Sequence, residues 1–120
     1  MLFNVSERRE GDQTVLSVLG DVDLATLPEL AGRIARTHGD LLVVDLSDVD
    51  YFDPLCLGVL IAGHLRCVRA DRRFAIRCVG RTRDLIHESG LDQIMTVLDG
   101  ADGTDGAERE AENPTPETDV

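Results

Sequence analysis

The chain has 120 residues, enough for one domain with one modest core. It carries a net charge of −11, lacks Trp, has only 3% aromatic residues, and uses Arg for all twelve of its basic residues. Its core must therefore be aliphatic, and without Lys a Gly-rich phosphate loop with its lysine is excluded.

The opening segments LFNVSER (2–8) and TVLSVLG (14–20) alternate apolar and polar residues as strands do, and Gly11 and Asp12 between them signal a hairpin. In DVDLATLPEL (21–30), Thr26 followed by Glu29 fits a capping box with Pro28 in the first turn. Leu27, Leu30, Ala31, Ile34 and Ala35 then recur at helical spacing, which predicts a helix of about 12 residues ending near His38 and Gly39.

LLVVDL (41–46) is a continuous apolar run, as in a strand covered on both faces. The next stretch, YFDPLCLG (51–58), joins two helix-start signals: Asp53 can accept first-turn N–H groups, and Pro54 follows at the position where its missing N–H costs nothing. A helix is expected from Pro54 to about Arg69, deeply buried because its first two turns are apolar almost all round. RFAIRCV (73–79) reads as a strand, Thr82 as the cap of a short helix that ends at Gly90, and IMTVL (94–98) as a closing strand.

The order β-β-α-β-α-β-α-β predicts an α/β domain over residues 1–98. Its mixed sheet combines an opening hairpin with parallel strands, and its helices lie mainly on one face. Residues 99–120 hold eight acids and one Arg, net −7, leaving −4 for residues 1–98. Rich in acids, Gly and Pro, that segment reads as a disordered tail. The longest apolar run, Leu55 to Ala62, is too short to cross a bilayer, so no membrane insertion is expected. No leader pattern opens the chain. The three cysteines, an odd number without metal spacing, read as reduced thiols of a cytoplasmic protein.

Four segments in order give the chain a wider likeness. LGDVDLATLPEL (19–30), LLVVDLSDVDYFD (41–53), PLCLGVL (54–60) and ESGLDQIMTV (88–97) together resemble a STAS domain of the anti-sigma factor antagonist type. The resemblance implies a STAS-like fold, no enzymatic activity and no cofactor or metal. It implies a partner that is an anti-sigma factor with a kinase-like ATPase fold, or another STAS-binding protein. It also implies a partner-binding edge made of Asp21, Asp23, Leu24, Asp53, Pro54, Leu55, Cys56 and Gly58.

The switch loop of such antagonists usually reads Asp-Ser-Ser/Thr-Gly-Leu-Gly, and its second hydroxyl residue takes a phosphate from the partner kinase. In this chain Asp53, Leu57 and Gly58 match that pattern, but Leu55 stands at the phosphoacceptor position and Pro54 beside it. The usual switch, which adds roughly −1.5 to −2 charges, is unavailable there. Leu55 has two readings: a side chain tucked into the core, or an exposed apolar anchor for a partner.

Other functions weigh less. A STAS subunit of a transport ATPase or a stress-signalling scaffold is an alternative use of the same fold. The aspartates near strand ends (Asp21, Asp23, Asp45, Asp48, Asp50, Asp53) suit a Mg²⁺-dependent phospho-receiver, but receivers use a Lys that this chain lacks. Seven arginines between Arg66 and Arg83 suggest nucleic acid, yet no aromatics interleave them and the protein is acidic, so no nucleic-acid partner is expected. A solvated face, or a surface that holds the acidic tail, fits them better. Cys56 with His64 or His87 lacks the orienting residues of a thiol enzyme, and DGADGTDG spaces its acids wrongly for a calcium loop.

Overall fold

The structure, a computed structural model, describes residues 2–100. Strands β1 (Asn4–Glu10) and β2 (Gln13–Val22) form the opening hairpin, turned at Gly11 with φ +61°. There follow α1 (Leu27–Ala35), β3 (Leu41–Phe52), α2 (Gly58–Arg69), β4 (Arg73–Cys78), α3 (Gly80–Ser89) and β5 (Thr96–Asp99). Two 3-10 turns, Pro54–Cys56 and Leu91–Gln93, precede α2 and β5. The sheet runs β1-β2-β3-β4-β5, with β1 antiparallel and every other neighbour parallel.

Each crossover advances one strand in the same direction, so crossovers of one hand set all three helices on one face. Leu30 and Ile34 of α1, Leu60 and Cys67 of α2, and Ile86 of α3 share one core with Leu16, Leu42, Val44, Phe74 and Ile76 of the sheet. The other face carries a narrower strip, Val15, Val43 and Ala75, flanked by Leu41 and Leu98. There Arg77 and Asp45 stand 3.9 Å apart. LLVVDL is thus buried on both faces, as its unbroken apolar run predicted, although among the described residues only one face has helices.

The third strand is longer than its apolar run: it continues through Ser47–Phe52, which the sequence pattern left unassigned. Ten residues of β2 pair with twelve of β3, and two register shifts absorb the difference, one between the Ser17 and Leu19 pairings and one between Gly20 and Asp21. Each shift reverses the side on which β3 side chains fall. Strict alternation from Leu42, Val44 and Leu46 would bury Asp48 and Asp50. With the shifts, Val49 packs against the core and Phe52 is buried, while Asp48 and Asp50 face out. At the first shift the Ser47 N–H donates to Asp45 Oδ1 at 3.0 Å.

Several local expectations are corrected. Helix α1 has nine residues, not twelve; the Thr37 hydroxyl closes its end by donating to the Ile34 carbonyl at 2.9 Å. Thr26 makes no capping hydrogen bond to α1, because its hydroxyl donates to the Asp21 carbonyl at 2.9 Å instead. Thr82 is not a cap but a buried residue of the first turn of α3, which starts at Gly80. Helix α2 buries only Leu60, Gly63 and Cys67, leaving Leu65 and Val68 exposed, so it is one-faced rather than deeply buried. The last strand runs to Asp99, one residue into the expected tail; the rest of that tail, apart from Gly100, lies outside the described residues. The stop of α3 at Gly90, in left-handed conformation at φ +83°, is as expected.

Gly63 sets how closely α2 approaches its neighbours. A Cβ there would lie 3.1 Å from a Phe74 ring carbon and 3.2 Å from Ile34 Cγ2, whereas a Cβ at Gly58 would meet nothing within 4 Å. Both neighbours of Gly63 are buried core groups, so the shift of a few tenths of an ångström that a Cβ requires is passed into the packed core. Gly63→Ala is therefore expected to lower stability by about 1 kcal/mol despite the better helix propensity of Ala, while Gly58→Ala raises it by roughly 0.5–1 kcal/mol. Thermal melts of the two variants against the parent check the opposite signs.

A second melt tests the domain boundary. A chain ending at Gly100 is expected to melt within about 5 °C of the full chain, a difference on the order of 1 kcal/mol, since residues 101–120 offer little apolar surface.

Candidate functional site: the edge after strands β2 and β3

The register Asp21↔Tyr51 and Val22↔Phe52 brings the ends of β2 and β3 out side by side, and both chains turn into helices from there. The two turns are tied together by backbone: Asp53 N–H donates to the Val22 carbonyl at 2.9 Å. After β2, the Asp23 carboxylate accepts the N–H groups of Ala25 (3.0 Å) and Thr26 (3.1 Å). The Asp23 N–H in turn donates to the Thr26 hydroxyl at 3.0 Å. This closed set of bonds holds Leu24 at the crest of the turn, 61% exposed.

After β3, Asp53 stands in extended conformation and its carboxylate accepts the Leu55 N–H at 2.9 Å, the capping role that its place before Pro54 predicted. The Cys56 N–H donates to the Asp53 carbonyl at 2.8 Å. These bonds make a short 3-10 turn ahead of α2. Leu55 projects from it with 75% of its surface exposed, which sets aside its core reading. A bulky apolar side chain so exposed on a turn fixed by hydrogen bonds is a ready contact for another surface.

The eight residues expected at this edge do not all reach its surface. Leu24, Pro54, Leu55 and Gly58 are exposed, and Asp21, Asp23 and Asp53 are half-buried. Cys56 is 1% exposed and lies in the main core, so its side chain supports the turn from within. Burial, and then the Asp53 and Asp23 carboxylates, raise its thiol pKa and keep it protonated. His64 packs edge-on to Phe74 with ring centroids 6.1 Å apart, and His87 Nδ1 pairs with Asp92 Oδ2 at 2.7 Å. Neither histidine is arranged to activate a thiol at Cys56.

Tyr51 was missed. It is 53% exposed and sits beside Asp21 across the β2–β3 pair, between the two turns. Its place follows from the second register shift, and the only sequence signal for it was the spacing of Val49 and Phe52 by three instead of two. The aspartates do not converge: Asp45 serves the Ser47 N–H, Asp23 and Asp53 cap turns, and Asp48 and Asp50 face outward. Among the described residues no three His, Cys, Asp or Glu side chains stand together as a metal site. No helix among them is long and apolar enough to cross a membrane.

Fold and edge together define a mixed-sheet α/β binding module whose helix-start turns present side chains suited to contact. The family is specific. A model described as "Mlab, STAS domain" matches residues 5–98, and the chain belongs to the STAS domain family. It is 30% identical over 87 residues to the anti-sigma-F factor antagonist RsfB of Mycobacterium tuberculosis, covering 70% of this chain and 71% of that protein. Its structure is similar to that of an anti-sigma factor antagonist from Mycobacterium paratuberculosis (TM-score 0.72, 28% identity, covering 80% of this chain and 85% of the other). SpoIIAA in its unphosphorylated form shares the fold at TM-score 0.67 and 13% identity, over 84% of this chain and 90% of its own.

Removing the Asp53 carboxylate tests how the turn is held. Asp53→Ala is expected to cost about 1 kcal/mol, the usual loss for a helix-start cap, with faster hydrogen exchange confined to the Leu55 and Cys56 amides. Cys56 is expected to resist alkylation at neutral pH in the native protein and to react once the chain is unfolded, as counted by mass spectrometry.

Proposed function

We propose that this protein is an anti-sigma factor antagonist-like regulator of transcription. It acts by binding rather than catalysis, and its partner is an anti-sigma factor with a kinase-like ATPase fold. Membership of the STAS family and similarity to antagonists along most of the chain support the class. The observation that carries the mechanism is Leu55: at the position where the family's usual loop carries its phosphoacceptor, this chain presents a leucine that is 75% exposed.

In this reading Leu55 and Leu24 seat in apolar hollows of the partner, with Pro54 and Gly58 allowing close approach. Asp21 and Asp23 supply charged hydrogen-bond acceptors at the rim. Asp53 keeps the turn in shape. A phosphorylated hydroxyl at this place would bring a doubly charged group into the contact and drive the partner off. Leucine removes that step, so the partner's ATPase cannot switch the antagonist off here. The protein then competes for the anti-sigma factor whenever it is present, and its amount, or another device, sets the response.

The test begins with recovery of the anti-sigma factor by pull-down from the host. Leu55→Glu is expected to abolish binding while circular dichroism stays native, because an exposed side chain is changed and a charge must be desolvated in the contact. Asp23→Ala is expected to weaken binding by roughly 1–3 kcal/mol. Unchanged affinity in both variants would remove this edge from the interface. Phosphopeptide mapping of host-derived protein is expected to find no phosphate on residues 53–58; phosphate on Ser47 or Tyr51 would instead show a switch moved upstream, and phosphate on Asp53 would restore the receiver reading.

A further inference from the structure

Helix α2 buries one face, and the opposite face is unusual for a helix side that lies in water. Leu60, Gly63 and Cys67 point into the core, with Gly63 against Ile34 of α1 and Phe74 of β4. Ile61, Leu65 and Val68 stand roughly 140–160° round the helix from Gly63. Leu65 and Val68 are exposed and Ile61 is half-buried. With the exposed Gly58 they occupy positions 58, 61, 65 and 68, the three-four-three spacing by which one helix seats against another. An outer helix face ordinarily carries polar residues; this one carries an apolar seam.

The charge along the seam has one sign. Residues 54–70 hold no acid, and their only charged side chains are Arg66 and Arg69, net +2 in a chain of net −11. Both arginines lie in the last turn of α2, and among the described residues neither forms a salt bridge. With Ala62, Leu65 and Ala70 they line a shallow depression at the far end of the seam. At the near end, Gly58 comes three residues after Leu55. Exposed apolar groups thus run from the partner edge along α2 to two cations that lack a counter-charge.

We propose that this seam takes an acidic amphipathic helix of the anti-sigma factor. Its apolar side lies on Ile61, Leu65 and Val68, and its carboxylates meet Arg66 and Arg69. The assignment rests on the function proposed above and gives that contact a second half, selected by charge. Gly58 and Ala62 are small enough for the two helices to approach closely. A second copy of the chain is a poorer occupant: the seam holds no acid, so in either orientation its arginines would face no counter-charge.

Titration of the full chain with the anti-sigma factor recovered from the host tests this. Circular dichroism is the folding control for each variant, and every position changed is exposed. Leu65→Asp is expected to weaken binding about tenfold or more. Arg66→Gln combined with Arg69→Gln is expected to weaken it roughly three- to tenfold at about 0.01 M salt and hardly at about 1 M, where exposed charges are screened. Ser6→Asp adds the same charge on the outermost strand and is expected to bind as the parent does. Parental affinity in Leu65→Asp, with binding abolished in Leu55→Glu, would overturn this inference and leave the proposed function standing. Parental affinity in both, or an anti-sigma factor that does not bind the parent, would overturn the two together. An equal loss in Ser6→Asp would overturn the inference by reducing the effect to overall charge, and parental affinity of the arginine variant at low salt would remove the acidic helix. A full chain that sediments alone as a dimer, and as a monomer with Leu65→Asp, would also overturn it by assigning the seam to a second copy.

Discussion

Everything at the candidate site depends on the parallel pairing of β2 with β3 and on the two register shifts within it. A ten-residue strand and a twelve-residue strand finish level only because the longer one is bulged twice. The driving force is burial. Val49 and Phe52 reach the helix side of the sheet, while Asp48 and Asp50 are spared a desolvation of several kcal/mol each. Once Val22 and Phe52 are side by side, the Asp53 N–H meets the Val22 carbonyl and the two turns become one surface.

That surface is held by local hydrogen bonds and not by packing of the side chains it displays. Asp23 and Asp53 each spend a carboxylate oxygen on the backbone N–H two residues on, so the turns keep their shape when Leu24 and Leu55 are in water. In the proposed contact, such preorganisation lowers the entropy lost on binding. It also separates roles that the sequence ran together: in Pro54-Leu55-Cys56, the leucine is displayed and the cysteine anchors the turn in the core.

Much of the fold was legible because its signals are local or periodic. The hairpin turn, the order of strands and helices, the capping Asp53, and the Gly90 stop all rest on one residue's backbone preference or on a repeat. What was not legible depends on partners far away in sequence. The strand through Ser47–Phe52 breaks alternation, and only the opposing β2 explains why it is still a strand. Thr26 carries a capping signature, but the Asp21 carbonyl competes for its hydroxyl. The apolar turns of α2 looked fully buried because sequence cannot tell a buried face from one awaiting a partner. At the proposed edge, the cap made by Asp53 is legible from turn chemistry, while Asp23 and Leu55 are indicated by the family resemblance alone. The exposure of Tyr51 is not legible, since it is set by a bulge.

In the proposed function, partner recognition runs through the linked turns after β2 and β3 and needs no phosphate. Hydrogen–deuterium exchange of the full chain, alone and saturated with the anti-sigma factor proposed as its partner in the presence of Mg-ATP, tests it most directly. The account predicts slowed exchange at Leu24–Thr26 and Leu55–Gly58 that persists through long incubation with nucleotide. Protection confined to the outer face of α2 around Leu65 and Val68, or protection of the turns that is lost as ATP is consumed, would contradict it.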